Sequence, residues 1–154
     1  ESEEALYLVD SSGVIGVYNA SINEYIIPLS YSEIDWENRK ILDAFNYQVV
    51  GVKQDKDIKY VITDLEKGTQ LITEEIIYIE DLIAIKNQEG NYQFLQYGFQ
   101  LDTASYQEIK EINYDCNAVK LNNKWGGVNE YLSPIIEIKY DSFEEVKEYY
   151  EQNN

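Results

Sequence analysis

The stretch NNKWGGVNEYLSPIIEIKYDSF, residues 122–143, decides how this sequence is interpreted. It holds a Trp–Gly pair at Trp125 and Gly126, an apolar run that begins at Pro134, and an aromatic and acidic end. The two Asn residues before the pair are typical of a tight hairpin turn, because Asn tolerates the left-handed backbone that such turns require. The stretch therefore predicts short strands joined by turns, and the rest of the chain can be searched for further copies.

Short apolar, β-branched and aromatic runs dominate the whole chain, and the 15 Tyr with many Ile and Val favour strands over helices. Polar clusters such as SSG, QDKD and NQEG separate the runs and supply turn residues. The predicted fold class is therefore all-β. The candidate strands cover residues 7–10, 14–19, 24–29, 48–54, 59–64, 69–73, 82–87, 91–97, 117–121, 124–129 and 134–138.

Four hairpins share one arrangement when they are aligned on a residue that follows the turn. The equivalent residues, which we call the anchors, are Ile15, Tyr60, Tyr92 and Trp125. A second matching element follows each anchor by about 15 residues, at Tyr31, Ile76, Tyr106 and Tyr140. We therefore predict a single β-repeat domain over residues 1–154, built from four imperfect units at approximately 5–46, 47–81, 82–115 and 116–154. The strands would be antiparallel, in an open repeat array or in a barrel-like or propeller-like ring.

The last unit carries a resemblance to a known family. The segment VKLNNKWGGVNEYLSPIIEIKYDSF, residues 119–143, resembles the WG-containing β-repeat of bacterial proteins, whose pattern runs from an apolar strand through Lys-Trp-Gly to Lys-Tyr-Asp. The first unit resembles it through Gly16, the run 26–28 and Tyr31, whereas the two central units lack Trp-Gly at their anchors. The resemblance implies an all-β repeat array that serves as a binding or scaffolding surface without a shared catalytic site.

Physical reasons support the same units independently of the family. The aromatic anchors are expected to pack in the core, since a hairpin with one apolar face cannot bury that face alone. Gly16 and Gly126 would let the backbone approach a neighbouring ring, or form a bulge. At the C-terminus, Ser142 and Glu145 have capping-box spacing, which predicts a short helix. A helical turn or two is also expected within residues 32–45.

The chain is strongly acidic, with 29 Asp plus Glu against 12 Lys plus Arg and a formal net charge of −17. Such a field repels nucleic-acid phosphates and anionic lipid headgroups and attracts basic partners. We expect no direct nucleic-acid binding and no membrane insertion, since no apolar run reaches the roughly 20 residues that span a bilayer. Because the chain begins with Glu1 and lacks Met, we expect a processed or trimmed product that is soluble, with the cytoplasm slightly favoured over secretion or surface anchoring.

Familiar catalytic arrangements are missing from the sequence. The chain has no His, which excludes Ser-His-Asp and Cys-His devices and the commonest zinc ligand. Cys116 is the only cysteine, so an internal disulfide is excluded, and its place just before a predicted strand favours a buried, inert thiol. We therefore expect no enzyme activity, no catalytic or metal-binding residues and no cofactor. A competing enzyme hypothesis would need paired carboxylates in a pocket, one of them with a perturbed pKa.

Two binding hypotheses remain. The first is a non-catalytic β-repeat module that binds a protein or another macromolecule as a scaffold. The alternative is an acidic inhibitor or immunity-type protein that mimics nucleic acid and neutralises a basic nuclease or nucleic-acid-binding protein. A mimic should gather its carboxylates on one face, whereas a scaffold should scatter them. The candidate partner-binding residues are Asp141, Glu144, Glu145, Glu148, Tyr149, Tyr150 and Glu151.

Overall fold

The computed structural model describes residues 6–80 and 82–154, and these residues are mostly β with one short helix, as the sequence predicts. Two of the predicted repeat boundaries, at residues 5 and 81, lie outside the described residues. The strands are β1 Leu6–Ser11, β2 Val14–Asn19, β3 Glu24–Tyr31, β4 Glu33–Leu42, β5 Tyr47–Gln54, β6 Asp57–Asp64, β7 Gln70–Thr73, β8 Ile76–Ile79, β9 Leu82–Lys86, β10 Tyr92–Gln96, β11 Gln100–Leu101, β12 Glu108–Asn113, β13 Cys116–Leu121, β14 Lys124–Val128 and β15 Pro134–Tyr140. The helix α1 is Phe143–Asn153.

The described strands form four small antiparallel sheets in which sequence neighbours are also spatial neighbours. The first sheet is β1–β3, and the other three have four strands each, β4–β7, β8–β11 and β12–β15. The chain divides into two compact units, Glu1–Glu75 and Ile76–Asn154, each with two sheets. The sheet boundaries are out of phase with the predicted repeat boundaries, because β4 pairs with β5 rather than with β3.

Each anchor lies on the second strand of a hairpin. Three anchors pair with the second matching element that the sequence predicts for their unit. Ile15 is opposite Tyr31, Tyr92 is opposite Tyr106, and Trp125 is opposite Tyr140. Tyr60 instead faces Thr73. The expected match at Ile76 lies in β8, in the next sheet.

The two glycines after the outer anchors, Gly16 and Gly126, each lie beside a bulge in the strand that follows, β3 or β15. In the first sheet Ile15 faces Tyr31 while Val17 faces Ile27, so the third strand carries extra residues opposite Gly16. A Cβ built on Gly16 would lie 2.7 Å from the Ile27 carbonyl oxygen. The fourth sheet has the corresponding shift between Trp125 and Gly127, around Gly126. The close approach predicted for these glycines is therefore to backbone of the bulged strand and not to an aromatic ring.

The turn Asn122–Asn123 has the left-handed geometry that the sequence predicts, with φ of 50° and 62°. In three of the sheets an Asn or Asp lies four residues after the anchor, and its side chain accepts a hydrogen bond from a backbone amide in the next turn. The Asn19 Oδ1 atom accepts from the Ser21 amide, and the Asp64 Oδ1 atom accepts from the Glu66 amide. The Asn129 Oδ1 atom accepts from the Tyr131 amide. Such Asx turns satisfy backbone groups where the strand ends.

Each compact unit has its own core. In the first unit Val17 and Ile27 of one sheet pack with Val50 and Val61 of the other. In the second unit one core joins its two sheets, and a further core lies between the last sheet and α1. The aromatic anchors follow the core prediction only in part, since Trp125 is buried while Tyr60 and Tyr92 are half-buried.

The helix predicted within residues 32–45 is wrong, because residues 33–42 form strand β4. Ile34 and Trp36 alternate with exposed residues and pack on the core of the first unit, which is strand periodicity. The apolar spacing of Ile34, Ile41 and Phe45 suggested a helix, but pairing with β5 outweighs that weak local preference. In residues 6–80 and 82–154, no helix has the length and apolar character that crossing a membrane would require.

Candidate functional site

The candidate partner-binding residues lie in the helix α1, except Asp141, which precedes it. The helix begins with the predicted capping box. The Ser142 Oγ atom accepts from the Glu145 amide, and the Glu145 carboxylate accepts from the Ser142 amide at 3.2 Å. The helix packs on the last sheet through Phe143, whose ring lies edge-on to Trp125 with centroids 5.9 Å apart, and through buried Val146. The helix is therefore held on its apolar side, which decides which candidates remain exposed.

Tyr150 lies on the packed side of α1 and is only 8% exposed. Its hydroxyl donates to the Asp115 carboxylate and accepts from the Asn113 side-chain amide at 3.4 Å. The hydrogen bond to Asp115 raises the pKa of Tyr150, and burial adds to the effect. The structure therefore places Tyr150 in the core and not on an outward face.

Asp141 and Glu145 have structural partners. Asp141 is paired with Lys124, and the Asp141 amide donates to the Glu145 carboxylate at 2.8 Å. Both side chains are exposed, but both take part in holding the start of α1. Exposed ion pairs of this kind contribute little to stability, so their effect is mainly to orient the local chain.

The remaining candidates form a narrower surface than the sequence suggests. Glu144, Glu148 and Glu151 are exposed and share one side of α1, because spacings of four and three residues return to the same helical face. We call these three residues the acidic stripe. Lys147 lies three residues after Glu144 and four before Glu151, so a cation borders the stripe. Tyr149 is 41% exposed, with its ring centroid 5.8 Å from that of Tyr140.

Acidic charge is divided almost evenly between the two compact units. Residues 1–75 contain 15 acidic and 6 basic residues, a balance of −9, and residues 76–154 contain 14 and 6, a balance of −8. The acidic stripe therefore holds only a small part of the total charge. Most carboxylates therefore lie outside the stripe, in both compact units.

Two exposed tyrosines that sequence reasoning missed lie at one end of the last sheet. Tyr114 follows β12 and is 67% exposed, and Tyr131 follows β14 and is 80% exposed. In an antiparallel meander, the turns after its first and third strands lie at the same end of the sheet. The Asn113 and Asn129 side chains accept from the amides of Tyr114 and Tyr131 and so order both turns. We call Tyr114 and Tyr131 the turn tyrosines. The sequence feature that could have identified them is an aromatic residue inside a polar turn segment.

Cys116 is fully buried at the start of β13, as the sequence predicts. Burial raises the pKa of its thiol to about 11, and the negative charge of Asp115 acts in the same direction. The folded protein therefore holds this proton at pH values where the unfolded chain has begun to lose it. The stability that the folded protein gains from keeping the Cys116 thiol protonated is fully present below pH 9 and is lost as pH rises toward 11.

We expect Cys116 to react with a disulfide reagent at pH 8 at least about 100-fold more slowly in the folded protein than in the unfolded chain, because the thiolate is both scarcer and enclosed. The measurement compares labelling rates in buffer and in concentrated guanidinium chloride. Equal rates in the two conditions would show that the thiol is accessible and would contradict its placement in the core.

Among the described residues, no three His, Cys, Asp or Glu side chains are grouped so that they could hold a metal ion. Neither the models of known protein families nor the curated protein sequences match this chain.

Proposed function

We propose that this chain is a non-catalytic β-repeat module that binds a protein partner and acts as a scaffold. The observation that carries the proposal is the pair of turn tyrosines, which are large, exposed and held by ordered turns at one end of a sheet. Tyr supplies a large contact area with few rotatable bonds, and it is enriched among the residues that dominate binding energy in protein interfaces.

The repeat interpretation supports the same proposal. Four consecutive meander sheets would form from imperfect copies of one hairpin unit. Each sheet has its anchor on the second strand of a hairpin, and the first and last share the same glycine and bulge. Under the WG-repeat resemblance, the unit is a support for binding surfaces. The high negative charge would then speed encounter with a basic partner without determining where it binds.

The acidic-inhibitor hypothesis is the second candidate, and the acidic stripe on α1 is the observation that favours it. A nucleic-acid mimic needs many carboxylates on one face so that they occupy successive phosphate positions. Of the seven candidates predicted from sequence, Tyr150 is buried and two acids serve the helix start. We therefore place this hypothesis behind the scaffold proposal.

An affinity capture from the source organism's lysate tests the proposal with two matched variants of the full chain. The turn variant is Tyr114→Ser with Tyr131→Ser, and the stripe variant is Glu144→Gln, Glu148→Gln and Glu151→Gln. We expect the affinity of the turn variant for a specific partner to fall by roughly 30-fold. This corresponds to about 2 kcal/mol of binding energy, as expected for an interface hot spot. The stripe variant should retain that partner at low and at moderate salt.

The control is Tyr7→Ser, which removes a tyrosine that is 56% exposed on β1. It should retain the partner, and unchanged melting temperatures should show that all variants are folded. Capture that survives in the turn variant but disappears in the stripe variant and at moderate salt would replace the scaffold proposal with the inhibitor. If the wild-type chain captures no specific partner, neither proposal stands.

A further inference from the structure

The second sheet has a cavity of about 250 Å³ that mixes charged, aromatic and apolar side chains. All of its lining residues come from strands β4, β5 and β6 of the first compact unit. They are Glu33, Asp35, Gly51, Val52, Lys53, Ile58 and Tyr60. The volume lies below the range of roughly 300–1,000 Å³ typical of small-molecule sites, so it suits a single side chain better than a cofactor.

The strand register explains why these residues meet. Asp35, Gly51 and Tyr60 form one row across β4, β5 and β6. Glu33, Lys53 and Ile58 form the row two positions away. Residues directly opposite each other in a sheet point to the same face, and positions two apart return to that face. The cavity is therefore built into the regular pairing of three strands.

Gly51 creates the empty space in the centre of its row. A Cβ placed there would lie 3.9 Å from the Asp35 Cβ and 3.9 Å from the Tyr60 Cε1, which is ordinary van der Waals contact. A side chain would fit at this position, unlike at Gly16 and Gly126, where it would collide with backbone. The missing side chain leaves a gap with a carboxylate on one side and an aromatic ring on the other.

The charges around the gap favour a cation. The Asn38 side-chain amide donates to both Asp35 oxygens, at 2.9 and 3.2 Å, and orients the carboxylate without neutralising it. Lys53 is the cross-strand neighbour of Glu33, so the lining carries two carboxylates and one ammonium group, a net charge of −1. The Arg39 guanidinium donates to the Trp36 carbonyl and lies 4.4 Å from the centre of the Trp36 ring, so it is engaged elsewhere. The lining is therefore negative overall, and Asp35 is the carboxylate that borders the Gly51 gap.

We propose that this cavity binds the guanidinium group of an arginine presented by a basic protein partner. A guanidinium is planar, donates in a fork to a carboxylate and is attracted to an aromatic ring, and Asp35 and Tyr60 offer those two contacts across the Gly51 gap. The inference that a protein supplies the arginine rests on the proposed function, whereas the preference for a guanidinium rests on the cavity alone.

A titration of the full, ¹⁵N-labelled chain with N-acetyl-arginine amide tests the cavity without any partner. We expect saturable shifts of the Gly51 and Lys53 amide signals, and at least tenfold weaker binding of N-acetyl-citrulline amide, which has the same shape without the charge. Nα-acetyl-lysine amide, which keeps its side-chain charge, should also bind more weakly, because its ammonium group is not planar and is more strongly hydrated. Equal binding of citrulline or lysine derivatives would overturn the guanidinium assignment.

Two variants locate the site. Gly51→Val fills the gap and should abolish the shifts, and Asp35→Asn keeps the shape and should weaken binding at least tenfold. The control Asp55→Asn removes a carboxylate in the β5–β6 turn, outside the cavity, and should change nothing. Shifts that persist in Gly51→Val, with its fold verified by its melting temperature, would overturn the site.

The Gly51→Val chain also enters the affinity capture, which separates the two proposals. Loss of the arginine probe together with at least tenfold weaker partner capture supports the whole inference. Loss of the probe with unchanged capture would overturn the role of the cavity in partner binding while leaving the scaffold proposal intact. The wild-type chain could also bind the arginine probe and yet capture no partner. That result would overturn the scaffold proposal and the inference that a partner supplies the arginine, and only the preference of the cavity for a guanidinium group would stand.

Discussion

Replacing Trp125 with Ala is expected to lower the free energy of unfolding by about 3–5 kcal/mol, the range found for large aromatic residues removed from cores. Trp125 is 4% exposed and lies in the core that joins the last sheet to α1. Its ring meets Phe143 edge-on, so the truncation removes area from the sheet and from the start of the helix together. A cavity would remain because the surrounding strands cannot collapse into it.

Chemical denaturation followed by circular dichroism measures this effect. Helical signal should be lost at lower denaturant concentration than in the wild-type chain, because α1 depends on this core. The matched control is Tyr131→Ala, which truncates an aromatic side chain that is 80% exposed and should change stability by less than about 0.5 kcal/mol. A loss below about 1 kcal/mol in Trp125→Ala would contradict the packing described for α1.

Gly126→Ala is expected to be nearly as damaging, although it adds only one methyl group. The new Cβ would lie 2.7 Å from the Ile136 carbonyl oxygen and 2.8 Å from the Ile138 Cα. Both contacts are with the backbone of β15 at its bulge, so a rotamer change cannot relieve them. The strand must move, and we expect a loss of about 3 kcal/mol, near the upper end of the usual cost of overpacking.

The neighbouring glycine provides the control for this prediction. A Cβ on Gly127 would meet only the Ile136 side chain, at 3.2–3.3 Å, and that side chain can shift. Gly127→Ala should therefore cost less than about 1 kcal/mol in the same denaturation experiment. Gly16→Ala should resemble Gly126→Ala, since its Cβ would lie 2.7 Å from the Ile27 carbonyl oxygen. Similar losses for Gly126→Ala and Gly127→Ala would show that the bulge does not require a glycine.

Together these two changes test why a Trp–Gly pair occurs in the last sheet. The Trp supplies apolar area on the core side, and the Gly allows the bulged strand β15 to approach. In the second sheet Tyr60 and Val61 occupy the same two positions, and there β7 pairs with β6 without a register shift. The absence of glycine thus coincides with the absence of the bulge.

Local patterns explain most of the successful fold predictions. Turn chemistry at Asn122–Asn123 and the capping box at Ser142 act within a few residues, so the hairpin and the helix start can be recognised directly. The helix expected within residues 32–45 is wrong because the apolar spacing there fits both a helix and a strand, and only the pairing of β4 with β5 separates the two.

The candidate site was less predictable. The sequence predicts seven partner-binding residues that are close together in the chain, but a helix has two sides. Packing in the core around Trp125 turns Tyr150 inward, while the acidic stripe stays outside. The turn tyrosines have a local signal, an aromatic residue in a polar turn, but only the sheet order places both turns at one end. The Gly51 cavity joins residues from three strands, so it cannot be recognised until the strand register is known.

The all-β class, the hairpin turns, the terminal helix and the acidic balance follow from residue order alone, because each depends on interactions between near neighbours or on composition. The bulges facing Gly16 and Gly126, the assignment of β4 to the second sheet and the grouping of Asp35, Gly51 and Tyr60 were decided by tertiary structure. These features depend on which strands pair and in which register, and that choice is made by the burial of side chains distant in sequence.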